Sequence, residues 1–192
     1  VSISKKVIDL GSKDGNYEYH NLVSKALDTH ITFTDLYPKR SEVLEIDFDK
    51  RFPLDENIFD FALLFNVLEH VWDTRNLLAE SLRILNPGGR IYGLVPFLFR
   101  YHKDPSDYWR FTDESLRKLL HEAGYNKIEV HSHGIGCFTV SVNTFSNLFR
   151  FKIIIAFVWS AAIFLDTLLS KIWPQNQTYY LGLFFSASKP RI

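Results

Sequence analysis

Lys5–Tyr17, KKVIDLGSKDGNY, is a short β-favouring run ending in a loop that holds Gly11 and Gly15. What lies downstream decides how that loop is used. GNYEYHNLVSKAL carries Tyr17, Leu22, Val23, Ala26 and Leu27 on or near one helical face, and HITFTDL and EVLEIDF then read as second and third strands. FDFALLFNVL is apolar on both faces, as a central parallel strand is. TRNLLAESLRIL is a helix stopped at NPGG by Pro87, Gly88 and Gly89. RIYGLVPF is a fifth strand. TDESLRKLLHEAGY is a helix with Thr112 as N-cap, Ser115 at the third helical position and Gly124 past its end, and KIEVHSHG is a sixth strand. Strands alternating with helices imply a doubly wound, mostly parallel sheet.

Beyond Gly136 the pattern changes. A long apolar stretch, placed at 137–175 as a helical insertion, precedes a last strand, TYYLGLFFSASKP, which makes seven. Residues 1–192 are expected to form a single domain in which the sixth and last strands pair across the insertion. Within it, Ile153–Leu165 has no charge between Lys152 and Asp166. That run is shorter than the ~20 residues a membrane span needs, so a span is not expected. Two readings of 150–173 stay open: a helix buried against its own domain or a second subunit as a homodimer, which is favoured, and an interfacial helix. In the second, Trp159 and Trp173 lie near lipid headgroups and Lys152 and Lys171 face acidic lipid.

Composition narrows the partners. The 192 residues hold 22 Lys+Arg and 22 Asp+Glu, for a net charge of +0, with no basic run. Nucleic acid is therefore not an expected partner. The one cysteine, Cys137, forms no internal disulfide, and no Cys/His cluster has zinc spacing, so no metal and a reducing, cytoplasmic setting are expected. The chain starts at Val1, has no Met, and shows no secretory leader, so a native start upstream is expected.

In a doubly wound sheet the turn after the first strand lies at the switch point, where glycines let a ligand approach the backbone and the next helix offers its N-terminus. The loop therefore asks for a nucleotide-like ligand. Its order, Gly11, Ser12, Lys13, Asp14, Gly15, is neither G-x-G-x-x-G nor a G-x-x-x-x-G-K-[ST] phosphate loop.

DLGSKDG, FTDLYP, EIDF, FDFALLFNVLEHV and LRILNPGGRIYGLVP, in that order, closely resemble the class I S-adenosylmethionine-dependent methyltransferases over roughly Lys6–Gly124 plus the last strand. The resemblance implies a Rossmann-like fold with an antiparallel last strand, S-adenosylmethionine as cofactor, and methyl transfer. It also implies roles for particular positions. Asp9 and the turn Gly11, Ser12 and Gly15 match the motif that packs on the methionine part of the cofactor. Asp35, followed by Leu36, matches the acid that accepts from both ribose hydroxyls. Asp47 and Phe48 match the pair beside adenine, and Asn66 and Val67 lie beside the transferable methyl. The family has a small residue and a further glycine where this chain has Ser12 and Lys13. Lys13 adds bulk and charge there, and either points outward or pairs with the cofactor carboxylate.

HKDPSDYWRFTDESLRKLLHEAGY resembles a D-Y-W-R-F-T segment of a methyltransferase subgroup associated with surface-polysaccharide biosynthesis, which places His102, Asp107, Tyr108 and Arg110 over the crevice as acceptor-binding candidates. Methyl transfer needs alignment and removal of a proton. His70 and His102 are the candidate bases because imidazole titrates near neutrality. His70 has a competing role as a cap or packing residue, and Arg110 a competing one in fixing the loop by pairing with Asp107. His131 and His133 share a strand face without a third metal ligand. The expected function is thus methyl transfer to O or N of a small polar acceptor, a saccharide or lipid-linked saccharide. The rivals are a catalytically degenerate binding protein of the same fold and a nicotinamide-dependent oxidoreductase, for which an acid about 20 residues past the loop also fits.

Overall fold

Val7–Leu10 (β1), buried along its whole length, is flanked by Ile31–Asp35 (β2) and Phe59–Phe65 (β4), and β2 carries Val43–Glu45 (β3) on its other edge. These ladders are all parallel, as is that between β4 and Leu85–Pro96 (β5). Tyr180–Ser188 (β7) then inserts antiparallel between β5 and Asn126–Ile135 (β6). The full order is β3-β2-β1-β4-β5-β7-β6. The structure is a computed structural model that describes residues 5–13, 15, 17–27, 29–145 and 152–191. The expected seven-stranded sheet is present, including the pairing of the sixth and last strands across the insertion.

Glu18–Leu27 (α1), Thr74–Ile84 (α2) and Asp113–Glu122 (α3) are the helices of the alternating part. Asp73 caps α2, its side chain accepting from the Asn76 amide, and Leu77, Leu78 and Ile84 are buried. Thr112 and Ser115 form the expected reciprocal capping box on α3. The core gathers around β4 and β5, where Ala62, Leu64, Leu85 and Ile91 are wholly enclosed.

Three expectations are corrected. The fifth strand begins before RIYGLVPF: α2 does stop ahead of NPGG, at Ile84, but Asn86–Gly89 are absorbed into β5, where Leu85 pairs with Phe59 before the register slips. The inward residues of α1 are Tyr19 and His20, whereas Leu22 is 70% exposed. The reason is polar: both inward side chains hydrogen-bond the Asp9 carboxylate, and those bonds set the rotation of the helix. The side chains of Ala26 and Leu27 lie outside the described residues.

The third correction concerns 137–175. Cys137–Phe145 (α4) and Lys152–Ile172 (α5) form the insertion, with a 3-10 turn over Pro174–Thr178; residues 146–151 lie outside the described residues. α5 is not buried against its own domain. Only 11% of the apolar window Ile153–Ile172 is buried, and that window is long and apolar enough, by length and composition, to cross a membrane. Ending the run at Asp166 undercounts the helix, because this carboxylate is turned inward. It accepts from the amides of Phe138 and Thr139 and from Asn176, whose own carbonyl accepts from the Cys137 amide. Those are unpaired N–H groups of the first turn of α4. Gly136, at φ 111°, permits the approach, since a Cβ there would overlap the Asp166 carboxylate.

Candidate active site

The strand order reverses between β1 and β4, so the crevice beyond their carboxyl ends is left uncovered by crossover helices. A cavity of about 1020 Å³ occupies it. Its wall runs from Gly11, Asp35 and Phe48, past Asn66 and Val67, to His70, Phe99, Arg100 and His102, and Asn143 of α4 and Trp159 of α5 roof it. That volume reaches the upper end of the usual range for small-molecule pockets, so it has room for a cofactor and an acceptor together.

At the β1 end, Gly11 has φ 79° and lies so close to Val67 that a Cβ would overlap it. The bare backbone is what lets the loop pass there. Asp35 Oδ2 accepts from the Lys13 amide at 2.9 Å and Oδ1 from the Tyr37 amide at 3.0 Å. One donor per oxygen leaves each a lone pair for a vicinal diol. Leu36 and Phe48 line the wall beside it, with Phe48 edge-on to Phe52. Asn66, at φ 55°, takes the left-handed conformation that asparagine tolerates and ends β4 at the cavity. These residues fit an adenosyl cofactor.

Other predicted positions support the site from behind. Asp9 is buried and spent on His20 and Tyr19; burial pushes its carboxyl above the ordinary value and those hydrogen bonds partly offset the rise. The Ser12 hydroxyl is buried between the Thr34 carbonyl and amide. Gly15 closes the turn onto the Ser12 carbonyl and packs on the Phe33 ring. Asp47 pairs with Lys50 at 2.9 Å, an ion pair that holds its carboxyl below the ordinary value. Lys13 neither points freely outward nor waits for a ligand, for its ammonium pairs with Asp104 at 2.5 Å.

At the far end, a 3-10 turn over Leu68–His70 follows β4, and the loop after β5 folds onto it. The amides of Tyr108 and Trp109 donate to the Glu69 carbonyl, and the Trp109 indole N–H donates to the Val71 carbonyl. Asp107, its side chain turned away from solvent, receives both Arg110 nitrogens, at 2.5 and 2.8 Å, and the His102 amide at 2.7 Å. The Arg110 guanidinium holds the Asp107 carboxyl well below the usual carboxylate range. Asp107 and Arg110 therefore clasp the loop, and Tyr108 stacks edge-on against Trp72, away from the cavity. Among the predicted acceptor-binding residues only His102 reaches the wall, beside Arg100, Phe99 and Asp104, which sequence reasoning missed.

His70 and His102 meet edge to face, with ring centroids 5.0 Å apart. The Nδ1–H of His70 donates to the Ser106 carbonyl at 2.5 Å, and that of His102 to the Arg100 carbonyl at 3.1 Å. Behind the two rings sits Glu69, 0% exposed. Burial pushes its carboxyl up to about 7, and burial likewise holds the His70 imidazole below its ordinary value. Glu69 is a further residue that sequence reasoning missed. Its signal was available in NVLEHV, where an acid sits between Leu68 and Val71 just past a largely apolar strand.

A family model described as a methyltransferase domain matches residues 3–130. No curated protein sequence matches the chain. Among solved structures, phosphoethanolamine N-methyltransferase 2 of Haemonchus contortus, in complex with phosphomonomethylethanolamine and S-adenosylhomocysteine, superposes with a TM-score of 0.61 at 16% identity over 99% of this chain. The chain spans 50% of that enzyme's length. A SAM dependent methyltransferase from Archaeoglobus fulgidus gives 0.63 at 14% identity, covering 96% of this chain and 86% of its own. The cyclase SpnF gives 0.59 at 16%, covering 97% and 76%, so this fold also carries other chemistry. The matched domain, the strand order and the cofactor-shaped end of the cavity agree: the chain belongs to the class I S-adenosylmethionine-dependent methyltransferases.

Proposed function

We propose that the protein moves a methyl group from S-adenosylmethionine to an oxygen or nitrogen of a small polar acceptor of saccharide type. The observation that carries this reading is the continuous cavity running from the Asp35 carboxylate to the two histidines. The cofactor supplies a methyl group already activated on a sulfonium, so the chain's task is to align it and to manage the acceptor's proton. Asp35 holds the ribose, the Gly11 backbone and Val67 bound the middle, and Asn66 faces the transfer point. Arg100, Asp104 and the Phe99 ring offer the mix of charge and aromatic face that suits a hydroxylated acceptor. Either imidazole can take the acceptor's proton on Nε2, the nitrogen not engaged by the backbone carbonyl, and become an imidazolium.

A lipid-linked saccharide is the reading that α5 favours. Its exposed residues, with Ile153 at 85%, Phe157 at 75% and Ile172 at 82% exposure, belong to the same helix as Trp159, which lines the cavity. Flotation with liposomes containing acidic lipid is the check: the intact chain should float, and failure to do so removes the lipid-linked acceptor while leaving a soluble saccharide.

Calorimetric titration with S-adenosylmethionine, followed by transfer of a labelled methyl to a panel of sugars and amino sugars, tests the main reading. Cofactor binding with labelled product supports it. Binding with no product from any acceptor would instead favour a degenerate, non-catalytic binding protein.

A further inference from the structure

We propose that Glu69, His70 and His102 form a binding site for a divalent transition-metal ion of the zinc, cobalt or manganese class, open toward the acceptor half of the cavity. One ligand atom from each of the three lies within 4.8 Å of the others. Glu69 Oε1 stands 3.8 Å from His70 Nε2 and 3.9 Å from His102 Nε2. Those separations are too long for direct hydrogen bonds. Ligands about 2.1 Å from a tetrahedral metal lie about 3.4 Å apart, so a shift of about half an ångström in these side chains would close them on an ion.

Protonation states sharpen the case. A carbonyl only accepts, so Ser106 and Arg100 fix the proton on Nδ1 of each histidine. In the neutral rings each Nε2 then carries the lone pair, the form in which histidine ligates a metal. No other described residue donates to either Glu69 oxygen, although the side chain is fully buried. With Glu69 ionised and both rings neutral, three acceptors converge, and a cation between them satisfies all three. The nearest guanidinium, Arg110, is committed to Asp107. Backbone carbonyls receiving the second ring nitrogen are also the usual support of metal-bound histidines.

The donor set selects the ion. Two imidazoles and one carboxylate suit zinc, cobalt or manganese better than magnesium or calcium, which prefer oxygen throughout. His70 and His102 line the cavity whereas Glu69 lies behind them, so the remaining coordination positions face the acceptor. There the ion would hold an acceptor hydroxyl and lower its pKa, so that its proton leaves to water in the cavity; the ion would then replace the two imidazoles, whose Nε2 atoms it occupies, as the source of activation. This use rests on the function proposed above, but ion binding itself does not.

The test uses the full chain, stripped with a chelator, titrated with cobalt(II) by visible absorption and with zinc by calorimetry, and in parallel with S-adenosylmethionine. One ion per chain is expected, with Glu69→Gln and His102→Ala each weakening it by at least about tenfold. No saturable binding, or binding unchanged in both variants, overturns the site. If the cofactor binds and no ion does, the metal site falls and the proposed methyl transfer stands; if an ion binds and the cofactor does not, the metal site stands and the proposed methyl transfer falls. Should Glu69→Gln fail to fold, His102→Ala, altering a side chain 27% exposed, decides alone.

Discussion

Asp166 and Glu69 are both buried carboxylates, 4% and 0% exposed, and they differ in what surrounds them. Asp166 lies where α5 meets the first turn of α4, with three nitrogen donors on its two oxygens, and Glu69 lies beside the cavity with none from another described residue. Burial alone would push the Asp166 carboxyl up, but the hydrogen bonds from Thr139, Asn176 and Phe138 outweigh it and leave the pKa lowered. At Glu69 burial goes largely unanswered. A buried charge whose donors come from its own fold is holding that fold together; one left without donors is waiting for something the fold does not supply. Asp35 is intermediate, with one backbone donor on each oxygen and one lone pair to spare.

Substitution at these three carboxylates should separate them. Glu69→Gln should cut methyl transfer by about a hundredfold or more, the scale of a lost metal-assisted step. It should leave the melting temperature of the ligand-free protein unchanged or higher, since the amide brings donors toward the two Nε2 lone pairs. A large fall in that temperature would place Glu69 with Asp166 and break the contrast. Asp35→Ala should weaken S-adenosylmethionine binding by about a hundredfold in calorimetry, the worth of two hydrogen bonds to a charged group. Because two backbone amides also lose their acceptor, it should lower folding stability as well, by about 1 kcal/mol. Asp166→Asn should lower folding stability by about 2 kcal/mol in chemical denaturation, the cost of weakening several buried charge-assisted bonds.

The Asp166 contribution carries its own pH signature. Its folded pKa lies below the ordinary 3.8, so the stability it adds is complete above that value and is lost as pH falls through the lower, folded value. The gap between wild type and Asp166→Asn should therefore be constant near neutrality and close in acid. A gap that persists there would mean that asparagine fails for steric reasons. The smallest effect is expected at Lys13, whose pairing with Asp104 is half exposed on both sides, 54% and 48%. Exposed pairs contribute little. Lys13 also sits at φ 53°, which glycine adopts without strain. Lys13→Gly should therefore change stability by less than about 1 kcal/mol in thermal melts.

Strand and helix alternation was legible because period and punctuation are local: β4 is apolar on both faces, and the Thr112–Ser115 box marks a helix start within four residues. The cofactor end was legible for the same reason, since Gly11, Asp35 and Asn66 each end a strand at the crevice. The acceptor end was read less well. Asp107 and Arg110 looked like ligands for a substrate because they are charged and lie on a crevice loop, yet their charges are spent on each other. The sequence had offered their mutual pairing as the competing role, and the fold decides between the two by turning both charges onto each other.

The chain order of apolar runs, glycines and acids determined by itself that a parallel sheet forms and where its switch point falls, because those features act between residues near in sequence. Tertiary structure alone decided which carboxylates are satisfied. Donors for Asp166 come from residues 138, 139 and 176, and the neighbours of Glu69 include a ring at position 102. Whether a buried charge finds its partners depends on where distant backbone segments are carried, and sequence spacing does not encode that distance.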